Sequence, residues 1–231
     1  MSALVLQYDA AVTTFDAVLF DFGHTLFDTI PSPAFTAAFR ATSGHELEPG
    51  AFAAAWDAVR LRSREPDELA KGRDVSAEAH RRLWLALLAP LDALAPGLAE
   101  FTYGFESSAR GWQPYPDARH VLNELRTRGI AVGVVSDCGW DIRAVFGVHD
   151  LLELVDSFDL SYEHGICKPD PRIFESACSQ LAVEPARTLM VGDSWLTDGG
   201  AAAIGITTVI LPARDRTKSP ALASALELTR V

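Results

Sequence analysis

Short apolar runs separated by longer amphipathic stretches are the feature that most constrains the fold of this chain. This alternation is typical of strands and helices around a parallel sheet, so we expect an α/β fold. The strand candidates are brief, aliphatic or β-branched, and bounded by Asp, Gly, Ser or Pro. They lie at residues 17–20, 131–135, 188–191 and 207–211.

Polar clusters follow the first three of these strand candidates. The clusters are Asp-Phe-Gly-His-Thr at 21–25, Ser-Asp-Cys-Gly at 136–139 and Gly-Asp-Ser at 192–194. The carboxyl ends of parallel strands lie along one edge of an open sheet, and ligands bind there. Three distant pieces of sequence are therefore expected to converge on one crevice.

The long segment 29–110 contains no strand candidate, and its pattern is helical. Apolar residues recur at helical spacing, and six prolines divide the segment into short helices. The apolar faces, which more often build a core than bind a ligand, comprise Phe35, Ala38 and Phe39; Phe52, Ala55, Trp56 and Val59; and Leu83, Trp84, Leu87 and Leu88. The pattern predicts a helical cap domain at 29–110, inserted into a core of residues 1–28 and 111–231. The hinges are expected at Asp28, Thr29 and Ile30 and at 112–116.

Composition limits the partners and the compartment. The chain has 231 residues, of which 48% are hydrophobic, so it can bury a core. Its net charge of -11 opposes binding to nucleic acid or an anionic membrane, although a small anion could still bind at a local positive site. No apolar stretch is long enough for a signal peptide or a membrane span. Cys138, Cys167 and Cys178 lack metal-ligand spacing, which favours reduced thiols and a cytoplasmic location.

Four motifs appear along the chain in a recognisable order. They are DFGHTL at 21–26, VGVV followed by Ser136, KPDP at 168–171, and GDS at 192–194 followed by DGGA at 198–201. With these motifs and an inserted cap, the whole chain resembles the haloacid dehalogenase superfamily of phosphatases, dehalogenases, phosphonatases and phosphomutases. The resemblance implies a Rossmann-like, doubly wound parallel sheet with a C1-type helical cap.

The resemblance also implies that Asp21 is a nucleophile and that Mg²⁺ is the cofactor. An attacking carboxylate divides one difficult displacement into two easier steps. Phosphoryl transfer gathers negative charge near that carboxylate, and a magnesium ion held by oxygen ligands offsets the repulsion. The implied ligands are Asp21, Asp193 and the backbone carbonyl of Gly23. Asp198 would bind the metal directly or orient its water ligands.

Ser136 and Lys168 are expected to bind the transferred group. The resemblance gives the serine a hydrogen bond to it and gives the lysine the role of neutralising the nucleophile and the developing phosphoryl charge. Thr25 and Asp137, which belong to the same motifs, complete the expected substrate-binding set. Taken alone, each residue has a structural explanation, and a lysine before a proline is often a surface lysine at a helix start. The order of the motifs favours the catalytic interpretation.

Gly23 departs from the pattern of phosphatases in this superfamily, which usually have a second aspartate there. That aspartate protonates the leaving group and later activates water, and general acid-base catalysis is typically worth about a hundred to ten thousand-fold in rate. His24 is the candidate replacement, because imidazole exchanges protons near neutral pH. His164, near the third motif, is a further possibility.

Three classes of function stay open. The first is a phosphatase acting on a small anionic substrate, a phosphorylated metabolite, which the Asp193 and Asp198 pair favours. The second is hydrolysis at carbon, as in dehalogenases, which need no magnesium, or phosphonatases, which need a cap lysine that only Lys71 could supply. The third is a binding or regulatory protein that has lost turnover.

Substrate selectivity is expected to come from the cap, whose closure expels water from the site. Cap arginines could bind a second anionic group of the substrate, and tryptophans could stack on a ring, although a solvated face and a buried core are the more common roles. The candidates are Arg60, Arg62, Arg64, Arg73, Trp56, Trp84 and Trp112. No heptad pattern indicates an oligomer, so a monomer and a homodimer are equally compatible with the sequence.

Overall fold

A five-stranded parallel sheet forms the centre of the molecule. The computed structural model describes residues 14–29, 32–211 and 222–229. The strands of this sheet are β1 (Ala17–Phe20), β4 (Ala131–Ser136), β5 (Ser157–Leu160), β6 (Thr188–Gly192) and β7 (Thr207–Ile210). Their spatial order is β5-β4-β1-β6-β7. The first strand of the described residues therefore lies in the middle of the sheet, between β4 and β6.

The four strands predicted from the sequence are confirmed to within one residue at their ends. β5 was not predicted, because its sequence Ser-Phe-Asp-Leu lacks a continuous apolar run. Asp159 is fully buried in this strand, where it accepts a hydrogen bond from Gln180 Nε2 at 2.8 Å and lies 3.1 Å from His164 Nε2. A buried carboxylate with polar partners is a tertiary feature that hydrophobic patterning does not detect.

Helices cover both faces of the central sheet, which confirms the doubly wound α/β fold. The helices are α1 (Ser32–Ser43), α2 (Pro49–Ser63), α3 (Pro66–Leu69), α4 (Ala77–Leu88), α5 (Leu98–Glu106), α6 (Ala118–Thr127), α7 (Arg143–Val148), α8 (Ser161–His164), α9 (Pro171–Leu181) and α10 (Ala223–Leu228). Alternate residues of a strand point to opposite faces. Val18 and Phe20 accordingly pack in the core cluster that contains α6, and Leu19 packs in the cluster that contains α9.

The inserted helical segment is joined to the core by two short antiparallel strands. β2 (Phe27–Thr29) pairs with β3 (Trp112–Pro114), so the entry and exit of the insertion lie side by side. These strands lie where the hinges were predicted, except that Ile30 falls outside the described residues. Helices α1, α2, α4 and α5 share an apolar cluster of their own, in which the rings of Phe35 and Phe52 stack at 4.3 Å.

We retain the division into a core of 1–28 plus 111–231 and a cap of 29–110 as a proposal, with residues 1–13 of the core outside the described part.

Among the described helices, none combines the length and the apolar character that crossing a membrane requires.

Candidate active site

Three aspartates meet at the carboxyl edge of the central sheet. Asp21 directly follows β1, and Asp193 directly follows β6, the neighbouring strand. Asp198 starts a 3-10 helix, Asp198–Ile204, that returns over the same edge. One carboxylate oxygen of each aspartate lies within 4.8 Å of the corresponding oxygens of the other two. The convergence predicted from the polar clusters is therefore present in the fold.

Lys168 inserts its ammonium group between two of these carboxylates. Its Nζ atom lies 2.6 Å from Asp21 Oδ1 and 2.6 Å from Asp198 Oδ1, and the residue is 5% exposed. The start of α9 helps to position it, because Asp170 caps this helix and Pro171 occupies its first turn. The backbone N–H of Lys168 also donates to Asp137 Oδ1 at 2.9 Å, which joins the third motif to the second.

Charge is concentrated in this site. Burial raises the pKa of Asp21 to about 7; the Lys168 cation acts in the opposite direction, and the carboxylates of Asp198 and Asp193 raise the pKa further. Burial alone would lower the pKa of Lys168, but the carboxylates of Asp198 and Asp21 hold it well above its usual range. One buried cation therefore faces three carboxylates, and a second cation would reduce their repulsion.

The donor set fits a magnesium ion, because carboxylate oxygens are the hard ligands that this ion prefers. Asp198 is the most constrained of the three aspartates. Its Oδ1 contacts Lys168, and its Oδ2 accepts the backbone N–H of Ser194 at 3.0 Å. A Cβ atom at Gly192 would lie 2.1 Å from Asp198 Oδ2, so only glycine lets this carboxylate approach the end of β6.

A cavity of about 490 Å³ lies above these residues, between the core and the inserted helices. Most of the predicted site residues line it, namely Asp21, Gly23, His24, Ser136, Asp137, Lys168 and Asp193. Thr25 does not line the cavity. Thr25 is fully buried beneath the cavity, where its hydroxyl donates to Asp21 Oδ2 at 3.4 Å, so the structure places it behind the Asp21 carboxylate rather than against a ligand.

The inserted helices supply the opposite wall of the cavity. Three of the four predicted arginines and all three predicted tryptophans line the cavity: Arg60, Arg64, Arg73, Trp56, Trp84 and Trp112. Arg62 does not, because its guanidinium pairs with Asp67 at 2.6 Å on the surface. Lys71 and His164 are also absent from the lining, and Lys71 Nζ pairs with Glu68 Oε1 at 2.7 Å.

The turn after Asp21 has a distinctive geometry at Gly23 and His24. A Cβ atom at Gly23 would make an ordinary contact, 3.5 Å from the Trp112 ring, so the position is not closed to a side chain. His24 has a left-handed backbone, with φ of 59°. Its Nδ1 lies 3.2 Å from Asp28 Oδ1, which orients the imidazole toward the hinge.

Several ionisable residues of the inserted segment line the cavity although the sequence did not single them out. They are Asp74, His80, Tyr103 and Glu106. Burial raises the pKa of Glu106 to about 8 and lowers the pKa of His80 to about 4. No motif marks these residues, and only the way the helices fold onto the core brings them to the site.

Comparison with known proteins identifies the family. A family model described as haloacid dehalogenase-like hydrolase matches residues 15–205. The chain belongs to this family of hydrolases. The match includes four of the five strands of the parallel sheet, all but β7, together with the inserted helices, and it confirms the resemblance drawn from the four motifs.

Relatives of this hydrolase have names that describe different activities. The chain is 34% identical over 128 residues to human haloacid dehalogenase-like hydrolase domain-containing protein 3, covering 55% of this chain and 51% of the relative. It is 33% identical over 96 residues to (S)-2-haloacid dehalogenase 1 of Pseudomonas sp. strain CBS-3, covering 41% and 42%. It is 30% identical over 104 residues to glyceraldehyde 3-phosphate phosphatase of Methanothermobacter thermautotrophicus, covering 43% and 45%.

The matched regions span about half the length of these curated relatives or less. A solved structure described as a dehalogenase superposes with a TM-score of 0.67 over 93% of this chain and 96% of that one, at 22% identity. At this identity the superposition supports the fold of the hydrolase and not a particular activity.

Proposed function

We propose that this hydrolase is a magnesium-dependent phosphatase that uses Asp21 as its nucleophile and acts on a small phosphate ester. The observation that carries the proposal is the cluster of Asp21, Asp193 and Asp198. A hydrolase that displaces halide from carbon needs no such cluster. Phosphoryl transfer, in contrast, brings a dianionic group against a carboxylate, and cations are needed to offset the negative charge of both groups.

The first chemical step follows from the position of Asp21. A carboxylate oxygen of Asp21 forms a bond to phosphorus, and the bond from phosphorus to the ester oxygen breaks. Lys168 stays beside the nucleophile, 2.6 Å away, and the Ser136 hydroxyl at the cavity wall donates to a phosphoryl oxygen. Mg²⁺ bound by Asp21, Asp193 and the Gly23 carbonyl, with Asp198 as ligand or orienting group, would supply the charge neutralisation.

The second step returns the enzyme to its starting state. Water attacks phosphorus, the bond from phosphorus to Asp21 breaks, and inorganic phosphate leaves. Thr25 and Lys168 hold the two oxygens of Asp21 throughout, so the carboxylate keeps its orientation. Both steps need a proton carrier that Gly23 cannot provide, and His24 is the candidate for this role within the first motif.

Hydrolysis at carbon is the second candidate function. The absence of a carboxylate at Gly23 and the similarity to (S)-2-haloacid dehalogenase 1 favour it. A phosphonatase mechanism receives no support, because Lys71 is paired with Glu68 and does not line the cavity.

The test is hydrolysis of 4-nitrophenyl phosphate by the wild type and Asp21→Asn, each with Mg²⁺ and with a chelator. We expect turnover that requires Mg²⁺ and is abolished by Asp21→Asn. Asp16→Asn is the matched control, because Asp16 lies just before the same strand, pairs with Arg187 on the surface and should leave turnover unchanged. Metal-independent release of chloride from 2-chloropropionate, without phosphatase activity, would instead establish hydrolysis at carbon.

A further inference from the structure

The proposed reaction lacks the carboxyl proton donor that related phosphatases have at the position of Gly23. When the phosphorus–oxygen bond of the ester breaks, the leaving oxygen needs a proton unless it is already a stable anion. The inserted segment contributes carboxyl groups to the same cavity. Asp74 is the one that interacts electrostatically with both Lys168 and Asp137.

The backbone of Asp74 is anchored to the core. Asp74 belongs to a 3-10 turn, Arg73–Val75, and its carbonyl oxygen accepts a hydrogen bond from Ser161 Oγ at 2.6 Å. Ser161 Oγ in turn accepts the backbone N–H of Cys138 at 2.9 Å, two residues after Ser136. This arrangement fixes a residue of the inserted segment beside the loop that carries Ser136.

The carboxyl group of Asp74 has no short hydrogen bond within the described part of the chain. Its nearest partners are His80 Nε2 and Arg73 Nε, each at 3.7 Å, which is beyond hydrogen-bond distance. Burial raises the pKa of Asp74, while the Arg73 and Lys168 cations act in the opposite direction. The other ionisable groups that its charge affects are Asp137, Cys138, Cys167 and Tyr103. A carboxyl group in this environment holds a proton more readily than an exposed one and has oxygens free to meet a ligand.

His80 supports Asp74 from the inserted segment. Its Nδ1 lies 3.1 Å from the hydroxyl of Tyr103, and its Nε2 faces Asp74. Burial, reinforced by the charge of Arg73, lowers the pKa of His80 to about 4, so the imidazole is neutral near pH 7. In the tautomer that accepts the Tyr103 hydroxyl at Nδ1, the ring proton lies on Nε2, which is 3.7 Å from Asp74 Oδ1. His80 is therefore a positioning residue.

We propose that Asp74, supplied by the inserted segment, is the general acid and base that replaces the carboxylate missing at Gly23. This inference rests on the proposed phosphatase function. In the first step the Asp74 proton passes to the ester oxygen as its bond to phosphorus breaks, which releases an alcohol. In the second step the Asp74 carboxylate takes a proton from the attacking water, and the electron pair of the phosphorus–Asp21 bond returns to Asp21. Asp74 is then protonated again, and phosphate leaves.

Two other groups compete for this role. Glu106 lies on the hinge side of the cavity. The charges that change its pKa are those of Arg60 and Asp28, and Lys168 is not among them. His24 is bonded to Asp28 on that same side. Asp74 instead interacts electrostatically with Lys168 and Asp137, which adjoin the expected position of the phosphoryl group. The three candidates can be separated by substitution.

The experiment compares phenyl phosphate with 4-nitrophenyl phosphate, because the two esters have similar size but phenolate is the poorer leaving group. We expect Asp74→Asn to lower kcat/KM for phenyl phosphate by about a hundred to ten thousand-fold, and for 4-nitrophenyl phosphate by less than about ten-fold. Glu106→Gln and His24→Gln are compared in parallel, and we expect neither to change the ratio of the two rates. The assignment would be overturned if Asp74→Asn left the ratio of kcat/KM for the two esters unchanged. It would also be overturned if Glu106→Gln or His24→Gln, instead of Asp74→Asn, caused the selective loss on phenyl phosphate.

A second variant separates chemistry from structure. Because the position beside Trp112 is open, Gly23→Asp in the Asp74→Asn background should restore phenyl phosphate hydrolysis at least about ten-fold, and a failure to do so contradicts the acid-base role. If Asp74→Asn does not fold, Asp74→Glu serves instead, and its displaced carboxyl must still lower phenyl phosphate turnover selectively. Wild-type turnover that is independent of Asp21 overturns the proposed function itself, and the inference with it.

Discussion

Lys168 Nζ lies 2.6 Å from Asp21 Oδ1, and both residues are more than nine-tenths buried. A buried ion pair contributes less to stability than its short distance suggests, because both charges lose their hydration. Removing one partner is nevertheless costly, because the other charge stays in a poorly solvated place. We therefore expect the site to depend on the Lys168 cation as well as on the Asp21 carboxylate.

We expect Lys168→Met to abolish phosphatase activity and to lower the free energy of unfolding by about 3 to 5 kcal/mol, since Asp21 and Asp198 lose their shared cation. Denaturant unfolding and turnover of 4-nitrophenyl phosphate measure the two effects. Lys71→Met is the control, because Lys71 is 44% exposed and its partner Glu68 keeps a second cation, Arg62 Nη2 at 2.9 Å, so we expect a change of less than about 1 kcal/mol. Equal destabilisation by the two substitutions would contradict this account.

Gly139→Ala should disturb the contact between the inserted segment and the core. A Cβ atom at Gly139 would lie 2.1 Å from the Cβ of His80, a distance that neither backbone can tolerate without moving. We expect activity to fall by at least about ten-fold, because a misplacement of about 1 Å can cost about a hundred-fold in rate. Gly104→Ala in α5 is the control, since a Cβ there meets nothing within 4 Å. Activity of Gly139→Ala equal to that of Gly104→Ala would show that this contact is not needed for turnover.

Much of the core could be predicted because the relevant information is local. β1 is a continuous apolar run followed by Asp21, and β6 has the same form before Asp193. Parallel pairing then places the residues after such strands at one edge. β5 escaped prediction because Asp159 interrupts its apolar pattern, and its burial depends on distant partners.

The wall of the cavity opposite the core could be predicted only in part. The apolar spacing of Phe35 and Phe52 predicts helices that pack together, as they do. The position of Asp74 and His80 depends instead on how those helices dock, since Ser161 is 87 residues away from Asp74 in the sequence. No local pattern encodes such a contact. Thr25 illustrates a related gap, because a motif identifies the residue without showing that it lies beneath the nucleophile.

His80 should make stability depend on pH. Its pKa is about 4 in the folded chain and about 6.5 in the unfolded chain, so between these values only the unfolded chain binds the proton. The contribution of His80 to the free energy of unfolding is therefore fully present above about pH 6.5. It falls by roughly 3 kcal/mol as the pH decreases toward about 4.

His80→Asn should remove this part of the pH dependence, because the amide stays neutral and its oxygen can still accept from Tyr103. Thermal unfolding at about pH 7.5 and about pH 4.5 measures the difference. His45→Asn replaces an exposed histidine of the same inserted segment, and we expect it to follow the wild type at both pH values. A wild type and a His80→Asn variant that lose stability in parallel would mean that the imidazole is not buried in its neutral form.

Mg²⁺ should stabilise the folded chain, and Asp193 decides how much. Binding to the folded state alone adds roughly 2.7 kcal/mol when the free ion is at about 100 times its Kd. Without metal, the crowded carboxylates of Asp21, Asp193 and Asp198 repel one another, so Asp193→Asn should unfold at a higher temperature than the wild type in chelator. With Mg²⁺ the order should reverse, because the variant lacks a ligand. An Asp193→Asn protein that gains as much stability from Mg²⁺ as the wild type would show that the ion binds elsewhere. Ca²⁺ as a comparison ion distinguishes general charge screening from a site that demands the smaller cation.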